Sequence, residues 1–187
     1  LAAIAAGATH ATHLFNAMPP LHHRKPGLAA AALNERELIA EVIPDGLHLA
    51  PETVRLAVRA KGPDGIALIT DATAAVGRPD GEHTLGSHRV IVKGDLCLLP
   101  DGTIAGSMLT MNRAARNTIA FSGCSLAEAI RMATLIPAQI AGVADRKGSL
   151  EPGKDADLVL LRPDFSVAAT LIEGRAVYES PLLSSRA

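Results

Sequence analysis

The sequence contains very few aromatic residues: no tryptophan, one tyrosine and three phenylalanines in 187 residues. Platforms that stack nucleic-acid bases are built from aromatic side chains, so this class of binding is not expected. Neither sign of charge dominates, because 18 Lys and Arg face 19 Asp and Glu. Such a balance gives no electrostatic footprint for nucleic acid or an anionic membrane, and we expect neither as a partner.

Cysteines are also scarce. Cys97 and Cys124 are the only two, which is too few for a disulfide framework, and reduced thiols favour a cytoplasmic protein. No apolar run approaches the roughly 20 residues of a membrane-spanning helix. The start, LAAIAAGATH, lacks both an initiator methionine and a basic segment, so it is a poor signal peptide. We interpret it as a helix end closed by Gly7 and expect the chain to begin in mid-fold.

Strand-like and helix-like segments alternate over the first 75 residues. The alternation predicts an α/β fold with a parallel sheet. The predicted segments are a strand over 9–15, a helix in GLAAAALNERE, a β segment in LIAEVIPDGLHL with a turn at Asp45-Gly46 before His48, a helix over 51–61 and a buried strand in GIALIT ending at Asp71.

The pattern changes after residue 81. Residues 82–103 favour antiparallel strands, with turns at Lys93-Gly94-Asp95 and Pro100-Asp101-Gly102. A helix is predicted over 107–121, and Ser125 with Glu128 forms a capping box for a second helix. Short strands with a Glu173-Gly174 hairpin and a frayed tail from about Ser180 close the chain. We therefore predict two parts: residues 1–145 with a β insertion at about 82–104, and residues 146–187.

Polar residues fall near the ends of three successive predicted strands: His13 with Asn16, then His48, then Asp71. Chemistry in parallel α/β folds is concentrated at the carboxyl ends of strands. A carboxylate at the buried end of a strand is costly unless it is paired, so Asp71 is either a turn residue or a general acid/base. His13 is either a hydrogen-bonded core residue or a ligand of zinc or iron.

Three further positions have competing interpretations. Arg24 is either an exposed loop residue or a bidentate phosphate ligand. Gly106 and Ser107 open the predicted helix over 107–121, so their backbone amides either cap it or bind a substrate oxygen. His10 does not join His13 on one ion, because residues three apart on a strand face opposite sides.

Several stretches together resemble a known family. THLFNAM, the RKPG loop, DGLH, the strand ending in TDAT, GTIAGS, RMATLIPA and the closing GSLEPGKDADL are similar to the N-acetylglucosamine-6-phosphate deacetylases of the amidohydrolase superfamily. The resemblance runs from about Gly7 to Tyr178. The closing pattern occurs in many amidohydrolases, whereas THLFNAM, DGLH and GTIAGS in this order are more specific.

The resemblance implies roles for individual residues. A divalent metal, zinc or iron, is implied as cofactor, with N-acetylglucosamine 6-phosphate as the small-molecule substrate. The implied roles are metal ligand for His13, catalytic acid/base for Asp71, phosphate binding for Arg24, and substrate contact for Asn16, Ala17, His48, Ile104, Ala105 and Gly106.

The resemblance also implies a TIM-type (β/α)8 barrel and a small β-sandwich built from both chain termini. A whole barrel needs about 200 residues or more, so this chain is expected to supply about strands six to eight and the C-terminal strands of the sandwich. The other ligands would then lie upstream, and the full-length protein is expected to be a homodimer. Two alternatives stay open: another amidohydrolase, for example one that acts on cyclic amides, or a fragment that is inactive alone.

Overall fold

A computed structural model describes residues 2–181. Its secondary structure forms three separate sheets and six helices within that part of the chain. The helices are α1 (Ala2–Ala5), α2 (Gly27–Asn34), α3 (Pro51–Lys61), α4 (Met111–Ser122), α5 (Leu126–Ala133) and α6 (Leu135–Ile140). The strands are β1 (His10–Ala11), β2 (Ile39–Val42), β3 (Ile66–Leu68), β4 (Gly81–Leu85), β5 (His88–Lys93), β6 (Leu96–Leu98), β7 (Ile104–Ser107), β8 (Leu158–Leu161), β9 (Val167–Ile172) and β10 (Arg175–Glu179).

The first sheet has the order β1-β2-β3, and both of its strand pairs are parallel. Helix α2 connects β1 to β2, and α3 connects β2 to β3, as the alternation of patterns predicts. Helix α3 has its predicted bounds: Pro51 needs no N–H in the first turn, and Gly62 ends the helix at φ 69°. The parallel α/β prediction for this part of the chain is confirmed.

Strand β1 is much shorter than the predicted strand over 9–15. Only His10 and Ala11 pair with β2, and the chain then turns. The reason is conformational: His13 and Phe15 have φ of 38° and 74°, which no β-strand allows. Leu14 is nevertheless fully buried. Leu14 is therefore apolar because it is buried in a turn. The sequence pattern alone does not distinguish such a turn from a buried strand.

The β segment predicted to reach His48 ends instead at Val42. Pro44 lacks an N–H for a sheet ladder, and Gly46 has φ of 80°. Residues 45–49 consequently form bends beyond the strand.

The second sheet has the order β4-β5-β6-β7 and is antiparallel throughout, as predicted for this region. It extends to Ser107, so the helix predicted from residue 107 is wrong at its start: α4 begins at Met111. The Ser107 N–H donates to the Asp71 carbonyl oxygen at 2.8 Å. The expectation that Gly106 and Ser107 offer helix N-terminal amides to a substrate is therefore also wrong.

The third sheet has the order β10-β9-β8. The Glu173-Gly174 hairpin is confirmed, with φ of 49° and 75°. Ser180 is buried and donates its N–H to the Ala168 carbonyl at 2.8 Å, so the chain end does not fray from that residue as predicted. Residues 182–187 of the expected tail lie outside the described residues. The division into residues 1–145 and 146–187 stays a prediction.

The main core lies between the parallel sheet and helices α2, α3 and α5. Its fully buried side chains include Leu14, Val42, Val54, Ile66 and Met132. This packing fixes the three parallel strands in place and thereby fixes the loops at their carboxyl ends. No helix within residues 2–181 has the length and apolar character required to cross a membrane.

Candidate active site

The predicted site residues follow one edge of the parallel sheet. Since β1, β2 and β3 are parallel neighbours, their carboxyl ends meet at the same edge. His13 comes shortly after β1, His48 after β2 and Asp71 after β3. This is the edge at which α/β sheets bind ligands. The topology therefore places the ends that carry these three residues side by side.

Backbone strain is concentrated at the same edge. Within residues 2–181 six non-glycine residues have positive φ, a conformation that costs about 1–3 kcal/mol each when the surroundings must hold it. Three of them are predicted site residues: His13 at 38°, Ala17 at 53° and Asp71 at 48°. Strain of this kind clusters at functional sites, so its position supports the site prediction independently of residue type.

One ring nitrogen of His13 has no hydrogen-bond partner among the described residues. Its Nδ1 is buried and makes no hydrogen bond within the described residues. A buried polar atom without a partner is costly, whereas a neutral imidazole nitrogen is a good ligand for zinc or iron. His13 therefore fits the role of a metal ligand.

The described chain does not complete a metal site. No group of three or more His, Cys, Asp and Glu side chains suited to a metal occurs in residues 2–181. Catalytic zinc normally takes three protein ligands. The metal-ligand role of His13 therefore stays a prediction.

Asn16 supports the turn that carries His13. Its side-chain amide donates to the carbonyl oxygens of Leu14 at 3.2 Å and His13 at 3.4 Å. These bonds use the Nδ2 hydrogens and leave the amide oxygen for another partner. The structure thus assigns Asn16 a local role that the sequence did not indicate, while its substrate contact and that of Ala17 stay predictions.

Arg24 lies in the exposed loop between β1 and α2. Its backbone N–H donates to His22 Nδ1 at 3.2 Å, and the His22 and His23 rings lie 4.4 Å apart. The backbone of Arg24 is therefore held by His22, and the residue is exposed on its loop. Phosphate binding by Arg24 stays a prediction.

His48 forms a close pair with Asp45. Asp45 Oδ2 lies 2.6 Å from His48 Nδ1, and Asp45 Oδ1 accepts the N–H groups of Leu47 at 2.8 Å and His48 at 2.7 Å. Sequence reasoning treated Asp45 only as a turn residue. The signal that could have identified it is the spacing in DGLH, because an Asp three residues before a His can fold back onto it.

Strand β7 holds the backbone of Asp71. The Ser107 N–H donates to the Asp71 carbonyl at 2.8 Å, and Thr73 N–H donates to the Ser107 carbonyl at 3.1 Å. The Ser107 hydroxyl donates to the Thr70 carbonyl and accepts the Leu109 N–H at 3.0 Å. Ser107 is buried. It therefore braces both sides of Asp71, a role that its small polar side chain did not indicate in the sequence.

Gly106 permits this close approach. A Cβ at Gly106 would lie 2.7 Å from Thr73 Cγ2 and 3.0 Å from the Asp71 carbonyl oxygen, and its φ is 114°. Of the predicted segment 104–106, Gly106 is thus brought against Asp71, whereas Ile104 is exposed on the same strand. The substrate-lining roles of Ile104, Ala105 and Gly106 stay predictions.

Asp71 itself is exposed in the described structure. The expectation of a carboxylate at the buried end of a strand is wrong, because β3 ends at Leu68 and the chain leaves the sheet before Asp71.

Charge next to this edge comes from helix α4. Arg113 makes a bidentate pair with Asp95, with N–O distances of 2.8 and 2.5 Å. The hydrogen bond with Asp95, then the charge of Asp95 and that of Asp45, raise the pKa of Arg113. The same hydrogen bond lowers the pKa of Asp95. Arg113 thus joins the second sheet to α4 and lies within electrostatic range of Asp45.

A cleft of about 830 Å³ lies elsewhere, between helices α4–α6 and strands β8 and β9. None of the predicted site residues lines it. Its walls are mainly apolar, and the charged residues Lys147, Asp155 and Asp157 are among those that line it. We do not assign the predicted chemistry to this cleft.

Comparison with known proteins supports the resemblance seen in the motifs. The family model described as "Amidohydrolase family" matches residues 1–177. An N-acetylglucosamine-6-phosphate deacetylase from Bacillus subtilis is 43% identical over 175 residues, which cover 94% of this chain and 44% of that protein. The chain therefore spans about half the length of the curated relatives it matches.

Solved structures give the same result for the fold. A deacetylase of that name from Thermotoga maritima superposes with a TM-score of 0.91 at 38% identity, covering 96% of this chain and 49% of the other. A mutant from Mycobacterium smegmatis, in complex with N-acetyl-D-glucosamine-6-phosphate, gives a TM-score of 0.89 at 39% identity over 94% of this chain and 47% of the other. The predicted resemblance is confirmed, and the fold is that of the amidohydrolase TIM barrels, of which this chain covers about half.

Proposed function

This chain belongs to the amidohydrolase family, and from this premise we propose that the full-length product of its coding region hydrolyses the acetamide of N-acetyl-D-glucosamine 6-phosphate. The products would be D-glucosamine 6-phosphate and acetate. The observation that carries the proposal is that His13, His48 and Asp71 follow the carboxyl ends of three adjacent parallel strands, with strained backbones at His13 and Asp71. Proteins named as deacetylases match this chain over nearly its whole length.

His13 would hold a divalent metal, zinc or iron, together with ligands from outside this chain. Members of the family generally use such an ion. When bound, it lowers the pKa of a water towards neutrality and polarises the amide carbonyl. The orphaned His13 Nδ1 supports this assignment.

Asp71 is proposed as the general acid/base. Its carboxylate accepts a proton from the attacking water, and the resulting acid donates that proton to the glucosamine nitrogen as the C–N bond breaks. The hydrogen bond from Ser107 to the Asp71 carbonyl supports the role, because a proton carrier has to be held within hydrogen-bond reach of both positions.

The remaining predicted residues would hold the sugar phosphate. Arg24 and the backbone near Ala17 would bind the phosphate, Asn16 and His48 would hydrogen-bond the substrate, and residues 104–106 would line the sugar. A guanidinium suits phosphate because its N–H groups pair bidentately with two oxygens. Binding at a distance from the amide positions the reacting carbonyl.

We test this function by measuring acetate release from N-acetylglucosamine 6-phosphate and from unphosphorylated N-acetylglucosamine. The full-length protein should strongly prefer the phosphorylated sugar. Replacing Arg24 with Ala removes a charged hydrogen-bond partner worth about 1.5–3 kcal/mol, so the preference should fall roughly 10- to 100-fold. Lys25→Ala is the matched control, since it removes a neighbouring loop charge and should change the preference much less.

The alternative hypothesis, another amidohydrolase that acts on cyclic amides, predicts a different result. A full-length protein that releases no acetate from the phosphorylated sugar but opens a cyclic amide would replace our proposal. The third alternative, a fragment that is inactive alone, is tested beside it. The isolated 187-residue chain should release no acetate, because His13 is the one metal ligand that we assign to it.

Several finer features belong to the same proposal. We assign β1, β2 and β3 to barrel strands six, seven and eight, and strands β8–β10 to a small β-sandwich. We further propose a cytoplasmic homodimer for the full-length protein.

A further inference from the structure

The Asp45 carboxylate performs two separable tasks. Its Oδ1 accepts two backbone N–H groups, those of Leu47 and His48, and so closes the turn after β2. Its Oδ2 contacts the ring of His48 at Nδ1, 2.6 Å away. The two side chains are nearly enclosed, at 5% and 8% exposure. The second contact is not required to form the turn, because one oxygen already satisfies both N–H groups.

The contact dictates where the ring proton lies. An ionised carboxylate only accepts hydrogen bonds, so a contact of this length requires a proton on His48 Nδ1. In the neutral ring the proton therefore lies on Nδ1, and Nε2 keeps its lone pair. The orientation of the ring is fixed at the same time, because Nδ1 is tied to Asp45.

The segment that carries the pair is itself anchored. Asn117 on α4 donates to the Pro44 carbonyl at 2.9 Å, and Gly46 packs near the Phe121 ring. Arg113 lies within electrostatic range of Asp45. Asp45 is thus held in a fixed place with a positive charge nearby.

We propose that Asp45 is a positioning residue that fixes the tautomer and orientation of His48, so that Nε2 is the ring nitrogen offered to the substrate. This inference rests on the proposed function, in which His48 contacts the sugar phosphate. Asp45 acts through His48 and does not itself touch the substrate. In the same way, a carboxylate that accepts a hydrogen bond from one ring nitrogen of a functional histidine leaves the other nitrogen free to contact a ligand.

Asp45→Asn separates the two tasks. The Asn oxygen can still accept the N–H groups of Leu47 and His48, while its Nδ2 can only donate to His48 Nδ1. The ring must then place its proton on Nε2, so the tautomer inverts while the turn is kept. Asn117→Ala is the matched control, because it loosens the anchor of the same segment and leaves the Asp45–His48 contact untouched.

The experiment uses the full-length protein with 15N-labelled histidine. His48 is assigned by comparison with His48→Gln, and the tautomer is read from the ring nitrogen shifts at a pH where the ring is neutral. We expect an Nδ1–H ring in the wild type and an Nε2–H ring in Asp45→Asn. KM for N-acetylglucosamine 6-phosphate should rise about tenfold in Asp45→Asn, with a smaller change in kcat, because a hydrogen bond to a charged substrate is misdirected. Asn117→Ala should keep the wild-type tautomer and a KM close to the wild-type value.

Two results would overturn the inference: an Nε2–H ring in the wild type, or a wild-type KM in Asp45→Asn. If Asn117→Ala raised KM as much as Asp45→Asn, the pair would be only part of the scaffold. Failure of the proposed function looks different, because the wild type would then release no acetate at all. The tautomer measurement alone would decide the Asp45 contact in that case.

Discussion

Replacing Gly106 with Ala should damage both stability and turnover, through two separate costs. The first is backbone strain, because φ of 114° suits glycine and costs an L residue about 1–3 kcal/mol. The second is overlap, because the new methyl would lie 2.7 Å from Thr73 Cγ2 and 3.0 Å from the Asp71 carbonyl oxygen. Overpacking of this kind costs about 1–3 kcal/mol more. The total is about 2–6 kcal/mol.

Relief of the overlap is costly in either direction. Thr73 Oγ1 accepts the Ala75 N–H at 3.2 Å, so rotation of the Thr73 side chain would break that bond. Movement of the Asp71 carbonyl would disturb its hydrogen bond from Ser107. Displacement of a catalytic group by about 1 Å can lower turnover roughly 100-fold. We therefore expect kcat to fall by about that factor.

Gly102→Ala is the matched control. Gly102 also has positive φ, 86°, but a Cβ there would meet no atom within 4 Å. It should lose only the strain term of about 1–3 kcal/mol and keep near-normal kcat. The measurements are thermal unfolding by circular dichroism and acetate release by the full-length protein. Equal losses of stability and equal kcat in the two variants would refute the claim that the close packing of Gly106 against Thr73 and Asp71 matters for turnover.

Three further predictions concern individual hydrogen bonds of the structure. Ser107→Ala should lower the free energy of unfolding by about 1–3 kcal/mol in chemical denaturation, because the Leu109 N–H and Thr70 carbonyl lose a buried partner; a loss within error would contradict the bracing role. Ser125→Ala should cost about 1 kcal/mol because it removes the capping box of α5, and Ser125→Asp should restore most of that loss. The Arg113 hydrogen bond lowers the pKa of Asp95 in the folded protein. The ionised carboxylate therefore stabilises the fold at pH values above its unfolded-state pKa of about 3.9, and this stabilisation is lost as the pH falls through the lower folded-state pKa. Thermal unfolding from pH 6 to pH 3 should therefore show a smaller acid-induced loss in Asp95→Asn than in the wild type.

The sequence was informative where local rules and burial agree. Helix α3 has its predicted bounds because Pro51 and Gly62 mark its ends, and the parallel sheet follows from the alternation of patterns. Antiparallel pairing after residue 81 was equally readable, since the turn signals are short and separate alternating segments.

The local pattern failed where a turn buries apolar side chains. Leu14 is fully buried in a turn, yet it gives the same apolar signal as a strand residue. Positive φ at His13, Ala17 and Asp71 is not indicated by residue type, because none of the three is a glycine. At Asp71 the backbone is held by Ser107 of β7, a residue distant in sequence. The bracing by Ser107 joins residues far apart in the chain, so no sequence window contains it.

Motif resemblance supplied what local physics could not. Position at a strand end identified His13, His48 and Asp71, whereas Ala17 and Ile104 were named only through the family motifs. Asp45 was missed by both routes, because its turn role concealed its contact with His48.

The most direct test of the account is turnover by Asp71→Asn in the full-length protein, measured as acetate released from N-acetylglucosamine 6-phosphate. Asn keeps the size of Asp71 but cannot carry the proton, and a general acid/base contributes about 10²- to 10⁴-fold. We predict a loss of kcat of at least that order, with metal content close to that of the wild type by elemental analysis. Turnover equal to that of the wild type would contradict the assignment of Asp71 as the proton carrier.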